Sequence, residues 1–271
     1  MKVIAQSILF IVALTMFNLY AVAEEDHIQT EQVALPPVGG GTPLTAEEKS
    51  ESIGRYGEVE KIPDNFQYTE AENQMWRTDH LANIKQPLSL YYEFVKSGTY
   101  EEGFTDSVYL NVLKINDDGT KDAMLDFFTG ERKQAVSPAN VTHIVGNPVI
   151  GIYMQGDIYE MNRLTEGHWR HFQKQIKIAL RNDAEVEPTT FNFNGKEYKG
   201  KKVYFSPYLK DPHRRDFKKF ADKYYELIFS DEIPGSLYQI TTIIPDKSKE
   251  NAEPLIEEKL TLMSVKTNNK S

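Results

Sequence analysis

The run Leu88-Ser89-Leu90-Tyr91-Tyr92-Glu93-Phe94-Val95-Lys96 is followed, after a short polar break, by Thr105–Ile115. Both stretches alternate as strands do. Leu88, Leu90, Tyr92 and Phe94 share one face of the first, and Val108, Leu110 and Val112 share one face of the second. Asn116-Asp117-Asp118-Gly119 then turns the chain into a third strand, Asp122–Thr129. That turn is not a calcium loop, because Lys114 stands where the first acidic ligand belongs and no glutamate follows at the required distance. Three strands joined by short turns make antiparallel neighbours, so this region is a meander.

Working outward, Thr69-x-x-Glu72 is a capping box and predicts a helix from Glu70 to about Ile84, ending before Gln86-Pro87. Downstream, Asn147-Pro148 reads as an N-cap with proline in the first turn. Val149, Ile150, Tyr153, Met154, Ile158, Met161 and Leu164 recur at helical spacing, and Gly167 marks the stop. Gly151 and Gly156 weaken that helix but suit close packing on a sheet. Phe172, Ile176, Ile178 and Leu180 read as a strand, although a helix through Trp169, Phe172, Ile176 and Ala179 fits nearly as well. Asn194-Gly195 joins Thr189–Phe193 to Lys196–Phe205 in a hairpin. A short helix after Asp211-Pro212 places Phe217, Phe220, Ala221 and Tyr224 on one face. Pro234-Gly235 then links Tyr225–Phe229 to Leu237–Ile244, and Leu255–Val265 is the last strand.

The order helix, three strands, long helix, three strands, short helix, three strands specifies an α+β fold that is mainly antiparallel β. It is a curved meander sheet or half-open barrel with helices packed across one face. Several strands carry apolar residues on both sides: Tyr91 and Val95 oppose the first set, and Tyr224 and Ile228 oppose Tyr225, Leu227 and Phe229. Both sheet faces therefore need cover. Ordinary burial supplies it, or a partner or an apolar ligand does.

The chain opens with Met1-Lys2, an apolar core around Ile8–Leu14, and Ala21-Val22-Ala23 before three acids, which together have the form of a secretory signal peptide cleaved after Ala23. An uncleaved anchor is the alternative; Gln6, Ser7, Thr15 and Asn18 weaken it. Residues 24–60, with Pro36-Pro37 and Gly39-Gly40-Gly41, read as a flexible tether. A single domain is expected over 66–266, with a polar tail at 267–271. The chain has no cysteine, which excludes an N-terminal lipid anchor, disulfides, thiolate metal sites and cysteine catalysis. A net charge of −9 argues against general binding to nucleic acid or to anionic lipid surfaces, and leaves room for a local basic patch. The expected compartment is periplasmic or secreted, with no integral membrane segment left after cleavage.

Element order and the runs Leu90-Tyr91-Tyr92-Glu93-Phe94-Val95 and Glu101-Glu102-Gly103-Phe104-Thr105-Asp106 resemble the periplasmic lipoprotein-carrier superfamily, the LolA-like half-barrels, and related secreted proteins of unassigned role. The resemblance covers about 66–266 and implies an apolar concavity that handles acyl chains. The expected function is non-catalytic binding of a lipid or lipidated partner. The candidate ligand-binding residues are Tyr92, Phe94, Val108, Leu110, Trp169, Tyr225 and Leu227, with Arg214 and Arg215 for an anionic headgroup. The alternatives are an envelope hydrolase assembled from distant residues and an assembly or adaptor protein.

No catalytic residue, metal or cofactor is assigned. There is no G-x-S-x-G, H-E-x-x-H or phosphate-binding glycine loop. His168 and His171 would align for a metal only on a helix. The pairs Asp157/Glu160 and Asp126/Glu131 carry no mark of catalysis. Clustering of His143, His168, His171 or His213 with an acid is the pattern the hydrolase alternative requires.

Overall fold

The computed structural model describes residues 12–13, 67–133, 136–137, 140–248 and 250–267. The expected signal apart from Val12–Ala13, the tether and almost all of the tail lie outside the described residues. Val12–Ala13 forms a two-residue parallel pairing with Val136–Ser137.

The main body is one open antiparallel sheet of nine strands. They are β1 Leu88–Ser97, β2 Phe104–Ile115, β3 Lys121–Phe127, β4 Asn140–Ile144, β5 Glu185–Phe193, β6 Lys196–Phe205, β7 Tyr224–Phe229, β8 Leu237–Ile244 and β9 Ile256–Thr267. Their spatial order is β4-β3-β2-β1-β9-β8-β7-β6-β5. Two meanders thus meet where β9 pairs with β1, and β4 and β5 are left as edges. Between those edges in the chain lie α2 (Pro148–Thr165) and α3 (Trp169–Asn182). A short leading helix, α1 (Glu70–Glu72), continues as a π turn to Arg77, and α4 (Arg214–Phe217) continues as a 3-10 turn to Asp222.

Turn chemistry matches the sequence. Asn194 and Gly195 both adopt positive φ (50° and 76°), as the tight hairpin between β5 and β6 demands. The β1–β2 loop is stitched to the β8–β9 loop by bonds from the Thr99 and Tyr100 N–H groups to the Pro254 and Leu255 carbonyls. Gly98 (φ 128°) permits this: a Cβ there would lie 2.3 Å from the Leu255 carbonyl oxygen.

Four expectations are corrected. The strand expected at 172–180 is helix α3, which buries Phe172, Ile176, Ala179 and Leu180 on one side while Ile178 faces solvent. Residues i, i+4, i+7 and i+8 decided over the partial alternation, because Gln173, Lys174, Gln175 and Lys177 have no place on a two-sided buried strand. The first helix stops at Arg77 rather than Ile84, because Thr78 turns extended and the Asp79 carboxylate accepts from the Leu81 N–H. The short edge strand β4 was not anticipated. Gly151 and Gly156 do not pack on the sheet, since a Cβ at either would meet nothing within 4 Å.

Along α2 the capping holds as expected at one end: Asn147 accepts from the Val149 N–H and Pro148 occupies the first turn. At the other end the left-handed residue is Glu166, one before Gly167. Ile152, Tyr153, Met154 and Gln155 are consecutive and all buried, so α2 is covered on more than one side. The outer sheet face is barer. Tyr91 stacks on Tyr109 at 5.1 Å, while Leu113 and Met263 remain exposed.

Candidate functional site

Strand register organises the inner sheet face into rows. Phe94, Leu260, Ile240, Leu227 and Val203 are successive cross-strand partners on β1, β9, β8, β7 and β6, and all are buried. One step nearer the β1–β2 loop, the same strands place Lys96, Glu258, Thr242, Tyr225 and Phe205 side by side. An apolar floor is therefore bordered by a polar row that is itself buried.

Helix α2 answers that row with a stripe at i, i+4 and i+7. The Tyr153 hydroxyl lies 3.2 Å from Thr242 Oγ1. Asp157 pairs with Lys223, both side chains being 1% exposed, and accepts a 2.5 Å hydrogen bond from the Tyr225 hydroxyl. Glu160 accepts from Lys96 Nζ at 2.7 Å. Lys96 also pairs with Glu101 (2.6 Å) and Glu258 (3.2 Å), and Arg163 bridges Glu160 and Glu101. Three cations thus face four carboxylates across the seam between α2 and the sheet.

Burial pushes the Glu258 carboxyl above its ordinary range, although Lys223 and Lys96 pull the other way. Burial also works against ionised Glu160, but the hydrogen bonds and charges of Arg163 and Lys96 outweigh it and hold that carboxyl down to about 2. For Lys96, burial is outweighed by Glu258 and Glu160, which raise it and keep the ammonium charged.

The start of α2 is fixed by a second buried polar centre. His80 Nδ1 accepts from the Asn147 N–H at 3.2 Å, while Nε2 lies 2.8 Å from the Gln74 carbonyl and must donate to it. Asn147 Nδ2 donates to the Tyr92 hydroxyl and the Gly235 carbonyl. The ring is therefore neutral, and burial lowers its pKa. As pH falls the unfolded chain takes up this proton first, so stability present above about pH 6.5 is lost below it. In urea titrations at pH 7.5 and 5.5, the native chain is expected to lose more stability than His80→Gln does; equal losses contradict this role.

The sequence-nominated residues fall into two groups. Tyr92, Phe94, Val108, Leu110, Tyr225 and Leu227 all lie buried on the inner face. Trp169 is elsewhere, on the first turn of α3, stacked by His168 at 5.8 Å and covered by the Arg170 guanidinium at 4.9 Å. Arg214 is engaged with Asp222 and the carbonyls of Leu209 and Ala221, whereas Arg215 is exposed. His171 bonds Asp211 at 2.6 Å, and His213 sits 5.4 Å from it ring to ring. His143 lies apart, beside Thr120 and Asp118, and His168 caps α3 through Nδ1. Among the described residues no group of three ligating side chains is placed to hold a metal.

Sequence reasoning missed the ionic seam. Its signal was present in the alternation: Lys96 follows Leu88, Leu90, Tyr92 and Phe94 on the buried side of β1, and Glu258 sits between Ile256 and Leu260 on β9. Asp157 and Glu160 likewise stand among the apolar residues of α2.

Among the described residues no helix is long and apolar enough to cross a membrane. No protein-family model matches the chain, and no curated protein does. Solved structures similar to it include the lipoprotein LppX of Mycobacterium tuberculosis, at 9% identity and a TM-score of 0.30, covering 74% of this chain and 94% of that one. A LolA-superfamily protein of Nitrosomonas europaea is similar at 8% identity and a TM-score of 0.20, covering 74% and 94%. A putative outer-membrane lipoprotein-sorting domain of Vibrio parahaemolyticus is similar at 9% identity and 0.18, covering 69% and 87%. The likeness to these structures is one of fold.

Proposed function

We propose that this chain is an exported, non-catalytic binding protein that holds a lipid, or the acyl part of a lipidated partner, against the inner face of its open sheet beneath α2. Export rests on the signal-like first residues, and mature protein is expected to begin at Glu24. The observation that carries the binding reading is the character of the cover. The apolar floor of Phe94, Leu110, Leu227 and their neighbours is roofed by a helix seated partly on ion pairs. That helix contains two glycines with open space around them and a buried Gln155 amide nitrogen that finds no partner among the described residues. Each glycine costs a helix roughly 0.5–1 kcal/mol, and an unpaired buried amide costs more. These features single out α2 as the element that lifts to admit a chain. Because α2 and α3 are tethered to both sheet edges, lifting leaves the strand pairing intact.

Native mass spectrometry of protein purified from its own cells tests this: a copurified lipid appears as added mass that organic extraction removes. Bare protein mass in every preparation counts against it. Gly151→Ala with Gly156→Ala is expected to raise stability by about 1–2 kcal/mol and to lower the fraction carrying lipid. Unchanged lipid loading in the stabilised variant contradicts the lifting of α2.

A further inference from the structure

A patch of exposed cations and apolar side chains runs over the β1–β2 loop, the 209–219 segment and the first turn of α3. Tyr100 (42% exposed) and Leu209 (48%) are large apolar groups left in water. Lys219 Nζ sits 3.8 Å above the Tyr100 ring, which packs edge-on against Phe220 at 5.2 Å. Arg214 ties Leu209 to Ala221 through their carbonyls, which holds Leu209 close to the Phe220 ring that carries Tyr100. His171 joins α3 to this segment through rings 5.4 Å from His213 and 5.8 Å from Phe217. Next to His171 on α3, Arg170 lies over the Trp169 ring.

The charge is unbalanced there. Arg170, Arg215, Lys218 and Lys219 are exposed, and among the described residues none has a carboxylate within ion-pair distance. Of the nearby acids, Asp211 is buried on His171, Asp222 is taken by Arg214 and Lys247, and Glu101 by Lys96 and Arg163, while Glu102 beside Tyr100 is exposed. Asp216 is exposed as well and faces His213. This local excess of positive charge stands on a chain whose net charge is −9. Lys218 also holds φ 52°, ψ −127°, a turn conformation that glycine adopts without strain and lysine does not.

We infer that this patch docks the protein on an anionic phospholipid bilayer, with Arg215, Lys218 and Lys219 at the phosphates and Tyr100 and Leu209 in the headgroup layer. Charge complementarity selects the occupant: free cations beside an exposed tyrosine and leucine suit a surface that is anionic outside and apolar just beneath. Nucleic acid would use the cations but leave Leu209 without a role. The inference is independent of lipid carriage beneath α2.

Flotation of the full chain with phosphatidylglycerol/phosphatidylcholine vesicles, against phosphatidylcholine alone, is the test. Binding is expected to the mixed vesicles, weakening with salt. Each cation near the surface is worth about fivefold, so Arg215→Gln/Lys218→Gln/Lys219→Gln is expected to weaken binding on the order of 100-fold. Tyr100→Ser/Leu209→Ser is expected to weaken it at high salt as well, where the charges no longer contribute. Equal binding to both vesicle types, or a triple variant within twofold of the native chain, overturns the inference, as does binding to duplex DNA in preference to vesicles. Copurified lipid without vesicle binding rejects this patch and leaves the reading beneath α2 standing; the reverse result does the opposite.

Discussion

Lys223→Met is expected to destabilise the fold by about 3–5 kcal/mol, the range for removing one partner of a buried ion pair. Lys223 and Asp157 are both almost fully buried, and the Tyr225 hydroxyl already donates to the same carboxylate. Without the ammonium, Asp157 keeps one donor and a charge in surroundings that include the Tyr208 and Tyr225 rings. At 2–4 °C per kcal/mol for a domain of this size, the melting temperature falls on the order of 10 °C. Adding Asp157→Leu removes the stranded charge, and much of the loss is expected to return. Equilibrium urea unfolding reads both. A single variant within 1 kcal/mol of the native chain would show that the pair is not what seats α2.

Lys96→Met is expected to cost a similar amount, about 3 kcal/mol or more, with a different signature. It leaves Glu101, Glu160 and Glu258 facing Arg163 and Lys223 alone. The Glu258 carboxyl, already raised by burial, moves further up once a neighbouring cation is gone. A raised carboxyl binds its proton more tightly in the folded chain than in the unfolded one. Folding therefore gains as pH falls from neutral toward the ordinary glutamate value of about 4.3. The Lys96→Met penalty should accordingly shrink between pH 7.5 and 5, and adding Glu258→Gln should shrink it at pH 7.5. An identical penalty at both pH values in the single variant contradicts this electrostatic account of the seam.

Much of the sheet was legible because its strands alternate and its turns use residues with one structural use. Asn194-Gly195 and Pro234-Gly235 sit in the turns expected of them, and Asn147-Pro148 starts α2. The mistaken strand at 172–180 shows the limit of period alone. Phe172, Ile176 and Leu180 satisfy both a period of 2 and a period near 4, and the polar run between them was the arbiter. Strand β4 was hidden because five residues with only Val141 fully buried carry no clear pattern. The ionic seam was half-visible in Lys96 and Glu258. What sequence could not supply was the register that sets Lys96 opposite Glu258, or the packing that sets Asp157 against Lys223. Such pairings join residues more than 60 positions apart, and only the folded sheet brings them together.

Lifting of α2 from the sheet to admit an apolar chain would change the distance between α2 and the outer face. Because the protein has no cysteine, spin labels can be placed at Gly156→Cys on the exposed side of α2 and Leu113→Cys on the outer side of β2 without background. Double electron–electron resonance then reads the distance between them with and without lysophosphatidylglycerol. The distance is expected to lengthen and broaden when the lipid binds. Bound lipid with an unchanged distance, or no binding at any concentration below micelle formation, contradicts it.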